Sequence, residues 1–469
     1  MNCTREIRNM NDIENRSRFF TPSGWLIAMG VVLLSGCRIH GPQSYPAQGA
    51  NRPVPLTASP MLGPTELRSA RIWAQSVSGP TEYEVVYGAS KGPSLGALSV
   101  TSDPHRFNTL HIEIPQLEPG TAYWAILHSA GEPVCDTLFF ETQVLWDFRM
   151  DPPPFKLMTG SCAYVNETAY DRPGKAYGGE YQIFETMAAE NADLMLWLGD
   201  NVYLREVDFG SLSAYGHRYG HMRSLPELQN LLTSCPHIAV WDDHDFGPND
   251  CDGSWIHRDW AQTAFESFWF NPSYGIPGAA EGIATQYRFN DIDFFLLDNR
   301  TFRINHDVKT LSPQILGEEQ MDWLIASLKN SRAPFKLVAI GGQMLSDAAI
   351  YENFAQFPAE RKALLDRIEA EGIKGVVFIT GDRHNSELTA LQLPNGRWLY
   401  DLTASPLTSS AYDHTDEPNT LRVPETMVGE RNYATLEFSG PRKDRSMRIR
   451  IHDVNGAVLW EKSISATSL

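Results

Sequence analysis

Between Ser69 and Thr142, apolar and polar residues alternate in short runs broken by Gly, Pro and Ser. Ala70–Ser76, Tyr83–Gly88, Phe107–Ile114, Ala122–His128 and Thr137–Thr142 are rich in β-branched and aromatic residues, and a period of two predicts strands. Within Leu117-Glu118-Pro119-Gly120-Thr121-Ala122-Tyr123 the tyrosine resembles the corner residue of a fibronectin type III sandwich. A β-sandwich is therefore expected over residues 65–145, the alternative being that these strands extend a later sheet. Asp151-Pro152-Pro153-Pro154 then interrupts both helix and central strand. Beyond it, apolar runs alternate with helical stretches, as in Gly317 to Asn330, where Met321, Leu324, Ile325 and Leu328 form one stripe. That alternation predicts an α/β domain over 150–469, and the chain returns to strands after Arg431 with a hairpin signal at Asn455-Gly456.

The first residues read differently. Arg5, Arg8, Arg16 and Arg18 precede a ten-residue apolar run from Trp25 to Leu34, shorter than the roughly 20 residues of a membrane span. Leu34-Ser35-Gly36-Cys37 follows and resembles a bacterial lipobox, so 1–36 is expected to be a lipoprotein signal peptide and Cys37 a lipid anchor in the membrane. Residues 37–64, rich in Pro, Gly, Ser and Gln, are then a flexible tether. Arg38 supplies no acidic retention signal, which points to an exported protein held on the outer membrane and facing the periplasm. The formal charge of −18 argues against a nucleic-acid-binding surface but leaves a small phosphorylated substrate open, because bound cations invert a local field. Of the remaining cysteines, Cys235 and Cys251 flank an acidic cluster and an exported protein can pair them; Cys135 with Cys162 is a further pairing.

Four apolar runs after Pro154 end in a small or turn residue followed by potential metal ligands. Phe155–Gly160 leads to Ser161-Cys162, and Leu194–Gly199 to Asp200-Asn201-Val202-Tyr203. Pro236–Trp241 leads to Asp242-Asp243-His244-Asp245, and Gly375–Gly381 to Asp382-Arg383-His384. Ligands of α/β sheets gather beyond the carboxyl ends of strands, so these ends are expected to converge on one cleft. A thiolate from Cys162, a phenolate from Tyr203 and the imidazole of His384 suit a transition metal, iron before zinc. Asp200 can reach two ions, while Asp243, Asp382 and Asn249 offer hard oxygens suited to calcium, magnesium or manganese. His244 is the candidate proton donor, with its pKa expected to be raised by surrounding acids, and Arg383 and Arg300 are candidate phosphate forks.

At these residues the chain resembles the PhoD-type alkaline phosphatase and phosphodiesterase family of the calcineurin-like metallophosphoesterase superfamily. The resemblance rests on Gly160-Ser161-Cys162, Gly199-Asp200-Asn201-Val202-Tyr203, Trp241-Asp242-Asp243-His244-Asp245 with Asn249, Leu297-Asp298-Asn299-Arg300 and Gly381-Asp382-Arg383-His384. It implies a four-layer α/β/β/α catalytic domain after the sandwich, with iron (Fe3+) held by Cys162, Asp200, Tyr203 and His384, and calcium faced by Asp382. Asp243 stands where the superfamily generally has asparagine, which leaves Asp243 and Asn249 as alternatives for the second metal. The implied reaction is in-line hydrolysis of phosphate mono- or diesters. The rivals are a phospholipase-D-like phosphodiesterase on lipid head groups and a non-catalytic calcium-binding lipoprotein.

Overall fold

The computed structural model describes residues 52–279 and 281–469; the leader, Cys37 and the first part of the tether lie outside the described residues. Among the described residues no helix is long and apolar enough to cross a membrane.

Met61–Thr65, Ala70–Gln75 and Thr109–Ile114 form an antiparallel sheet. A second antiparallel sheet orders Ser94–Thr101, Glu82–Ala89, Ala122–Ser129 and Glu132–Pro133, with Leu138–Glu141 also paired to Ala122–Ser129. Ile72, Ala74 and Ile112 of the first sheet share a core with Tyr83, Val85, Tyr123 and Leu127 of the second. The Tyr123 hydroxyl accepts a 2.8 Å hydrogen bond from the Glu118 backbone N–H. Because side chains alternate across a strand, Trp73 points the opposite way from Ile72 and Ala74. It enters the core of the following region with Met61, and its indole N–H donates to the Ser267 carbonyl at 2.7 Å.

Past the three prolines, two six-stranded sheets carry the rest. The first runs His237–Val240, Leu194–Leu198, Phe155–Gly160, Asn432–Ser439, Ser446–Asp453, Val458–Ser465, with its first three strands parallel. The second runs Thr285–Phe289, Ile292–Leu296, Lys336–Ile340, Val376–Thr380, Trp398–Thr403, Glu387–Gln392, with parallel strands at its centre.

Strand alternation sorts the residues into three cores. Leu157, Leu194, Leu196 and Ile238 meet Phe294, Leu337, Ala339 and Val377 between the sheets. Met158, Met195, Trp197 and Ala239 face outward onto helices Ile183–Ala189, Leu212–Arg223 and Arg258–Phe268. On the far side Phe295, Val338 and Phe378 pack on helices Gly317–Asn330 and Pro358–Ala370. Strands covered on both faces must be apolar at nearly every position, which is why Leu194–Leu198 and Val376–Thr380 are almost entirely apolar. The stripe Met321, Leu324, Ile325, Leu328 is the buried face of its helix.

Trp73→Ala removes an indole shared between the N-terminal strands and the helices beneath the first sheet. Its expected cost is about 3–5 kcal/mol, and urea denaturation followed by tryptophan fluorescence and circular dichroism measures it. Unchanged stability would show that this packing contributes little.

Candidate active site

Parallel register brings the carboxyl ends of Phe155–Gly160, Leu194–Leu198 and His237–Val240 level along one edge. Val376–Thr380 approaches the same edge from the other sheet, and backbone bonds stitch the two together. Leu407 N–H donates to the Ser161 carbonyl at 2.8 Å, and the Ser161 hydroxyl donates to the Ala404 carbonyl at 3.0 Å. Two glycines make this closeness possible. A Cβ on Gly199, whose φ is +91°, would sit 2.7 Å from the Asp242 Cβ, and one on Gly381 would sit 2.6 Å from the Ser161 hydroxyl. Cys162, Asp200, Asp382 and His384 all adopt left-handed backbone, with φ of 59°, 49°, 67° and 55°. Each costs roughly 1–3 kcal/mol for a residue with a Cβ, and such strain gathers at functional sites.

The donor atoms of Cys162, Asp200 and His384 lie within 4.8 Å of one another. The Cys162 sulfur is 3.6 Å from Asp200 Oδ2, and the Tyr203 hydroxyl is 3.1 Å from His384 Nε2. Donors sharing one ion at 2.0–2.3 Å stand about 3.3–3.8 Å apart, so this spacing fits a common cation. A second group of three, Asp200, Asp243 and His244, is equally close. Burial, together with neighbouring carboxylates, holds the Cys162, Asp200, Tyr203 and Asp382 groups well above their usual pKa values. Asp243 Oδ1 and His384 Nδ1 are buried and make no hydrogen bond to the described residues, Asp243 Oδ1 lying 3.9 Å from Arg300 Nη2. A thiol, a phenol and several acids packed together with orphaned polar atoms fit positive charge placed among them.

A cleft of about 780 Å³ opens over this cluster. Asp200, Tyr203, Asp243, His244, Asn249, Asp382, Arg383 and His384 line it, and Cys162 lies beneath, fully buried. Asp243 and Asn249 therefore both reach the cleft, with Asp243 inside the carboxylate cluster.

Three expectations need correction. The His244 pKa is lowered, because burial outweighs the raising effect of Asp243; the ring packs at a 33° tilt against Tyr203 with centroids 4.3 Å apart. Arg300 does not line the cleft. It is fully buried and bound to Asp242, Glu352 and the Cys251 carbonyl, so its donors are committed to holding loops together. Finally, Cys235 and Cys251 are free thiols, as are Cys135 and Cys162.

Other residues gave no sign of their place in the sequence. Asp245 caps its own short helix and accepts from the Asn201 and Val202 N–H groups and the Tyr219 hydroxyl, fastening the Asp200 loop; burial raises its pKa to about 7. Glu352 is a buried wall residue salt-bridged to Arg300 and Arg303. Tyr412 lies parallel to the His384 ring at 5.7 Å, within the irregular stretch after Trp398–Thr403. Tyr412 and His414 line the cleft, so the start of that stretch does border the site.

The family model of the PhoD-like phosphatases matches residues 157–450. Alkaline phosphatase D of Bacillus subtilis (strain 168) is 23% identical over 376 residues, covering 69% of this chain and 61% of that protein's own length. The solved structure of PhoD superposes with a TM-score of 0.71 at 17% identity, covering 88% of this chain and 92% of that one. Purple acid phosphatase PPD1 from yellow lupin seeds gives 0.66 at 13% identity, over 88% and 74%. At these identities the two structures speak for the fold alone.

If the acidic cluster is built for cations, chelation of the purified protein is expected to lower its melting temperature, and adding divalent or ferric ions back to restore it. A melting curve indifferent to chelator would remove the metal reading. Gly381→Ala is expected to displace Asp382 and destabilise the protein by about 1–3 kcal/mol, measurable by urea titration.

Proposed function

Because the chain belongs to the PhoD-like phosphatase family, we propose that it is a metal-dependent hydrolase of phosphate esters, working at the cleft over Cys162, Asp200 and His384. One observation carries this reading: three loops far apart in sequence bring a thiol, a carboxylate and an imidazole within 4.8 Å on the floor of an open cleft.

Cys162, Asp200, Tyr203 and His384 would hold iron, and Asp243, Asp382 and Asn249 would hold calcium, with zinc, manganese or magnesium as substitutes the donors also suit. Bound there, two cations supply an activated oxygen nucleophile and neutralise charge on the phosphoryl oxygens. The protein's own groups do the positioning. Asp200 receives a 3.3 Å hydrogen bond from the His244 backbone N–H, so the acid lies against the loop that carries the cleft-lining imidazole. With its pKa lowered, His244 is a neutral ring that offers an N–H to the leaving oxygen rather than a standing positive charge. Asp242, Arg300 and Glu352 lock the backbone behind Asp243.

The N-terminal strands, with Tyr123 hydrogen-bonded back to Glu118, are read as fibronectin-III-like, and Cys37 as an anchor that tethers the exported enzyme to a membrane.

The test is turnover of p-nitrophenyl phosphate and metal content of the purified protein. Cys162→Ala and His384→Ala are each expected to lose at least about 100-fold in kcat/KM along with bound iron. Full activity in either variant, or in metal-stripped protein, would defeat the proposal.

A further inference from the structure

The segment joining the N-terminal strands to Phe155–Gly160 turns its apolar side chains outward. Leu145, Phe148 and Met150 are 39%, 86% and 58% exposed, and Phe148 is the most exposed large apolar residue among the described ones. A tight turn holds them there. The Arg149 and Met150 N–H groups both donate to the Trp146 carbonyl, at 2.9 and 3.0 Å, and Phe148 adopts left-handed backbone with φ of 62°. Folding gains nothing from a benzyl group left in water on a strained backbone, and a cluster of such side chains marks a surface for a further apolar partner.

The turn lies at the end of the molecule opposite the cleft. Phe155 opens the strand that Cys162 follows, and Phe438 pairs with Phe155, so the hairpin turn 440–445 stands beside it. From that hairpin the Arg442 guanidinium reaches within 5.9 Å of the Phe148 ring, while its backbone N–H donates to Asp151 at 3.0 Å. Arg149, Arg442 and Lys443 are exposed around the apolar tip and offset Asp147, Asp151 and Asp444. In a chain of formal charge −18, this edge is therefore locally balanced and carries cations beside its apolar residues.

We propose that the turn is a membrane-docking element. Phe148, with Leu145 and Met150, enters a lipid surface at headgroup depth, and Arg149, Arg442 and Lys443 meet the phosphate groups. Lipid is the partner because of the chain that precedes the structure, and the inference rests on the reading of Cys37 as an anchor. Fifteen residues lead from Cys37 to Arg52, where the described chain begins, and they span at most about 50 Å. The Val54 N–H donates to Ser129 at one end of Ala122–Ser129, and Glu141, just before the turn, pairs with Ala122 at the other. That strand has eight residues, so the separation is about 25 Å and the tether covers it with slack. Held so close, the turn meets the bilayer at an effective concentration at which weak insertion suffices. The cleft then opens on the side away from the bilayer, toward dissolved esters.

Residues from Asn51 to Leu469 form one compact unit, so a protein starting at Arg38 keeps the fold and lacks the acyl group. Its binding to vesicles of phosphatidylethanolamine and phosphatidylglycerol is measured by co-sedimentation. Phe148→Ser with Met150→Ser is expected to weaken binding about tenfold or more, and Arg442→Glu with Lys443→Glu about fivefold. Melting temperature and p-nitrophenyl phosphate turnover stay at wild-type values in both. Val207→Ser with Ile256→Ser, exposed apolar residues on the cleft side, is expected to bind like wild type. No vesicle binding by the unaltered protein, a change under twofold in the Phe148 variant, or loss in the cleft-side variant instead overturns the proposal. So does self-association without lipid that Phe148→Ser abolishes, which would make the turn a contact between copies. Failed vesicle binding leaves the anchor standing, whereas failure of the full chain to take up labelled palmitate at Cys37 sinks the anchor and the choice of lipid with it.

Discussion

Crowding of ionisable donors in a dry place is the constraint around which this protein is built. Cys162, Asp200, Tyr203 and Asp382 are held where burial and mutual repulsion oppose their charged forms. In a low-dielectric pocket such a group either keeps its proton or meets an opposite charge. Left-handed backbone at four of the candidate ligands adds to the cost. The surrounding structure must be stiff enough to impose an arrangement its own residues would not choose.

Stiffness comes from two sheets covered on both faces, and from polar groups that fix the loops leaving them. Asp245 ties the Asp242 turn to the Asp200 loop, and Arg300 ties the same turn to Glu352. These residues are as buried as the ligands, yet their bonds are spent inside the protein. A charged residue in a motif can thus serve the frame rather than the substrate, and counting committed donors separates Arg300 from Arg383.

Much of the site was legible because Cys162, Asp200, Asp243, Asp382 and His384 come within a few residues of a strand end. Apolar run, glycine and Asp or Cys are local signals, and parallel register does the rest. The helix Gly317–Asn330 was equally plain from its stripe. What escaped was non-local. Glu352 and Tyr412 sit in irregular segments whose course is set by tertiary packing, with no periodicity to mark them. The direction of the His244 pKa depended on burial, which neighbouring acids in the sequence do not reveal. Cys235 and Cys251, flanking the acidic cluster, suggested a bridge that the folded chain does not form.

The first sheet is completed late in the chain. After His237–Val240 the backbone departs, builds the whole second sheet, and returns to lay Asn432–Ser439 beside Phe155–Gly160, the strand that delivers Cys162. Without Asn432–Ser439 that strand would be a bare edge on one side. The seat of the sulfur is thus closed on its second side by a segment about 270 residues away along the chain, and the pocket depends on that long-range pairing.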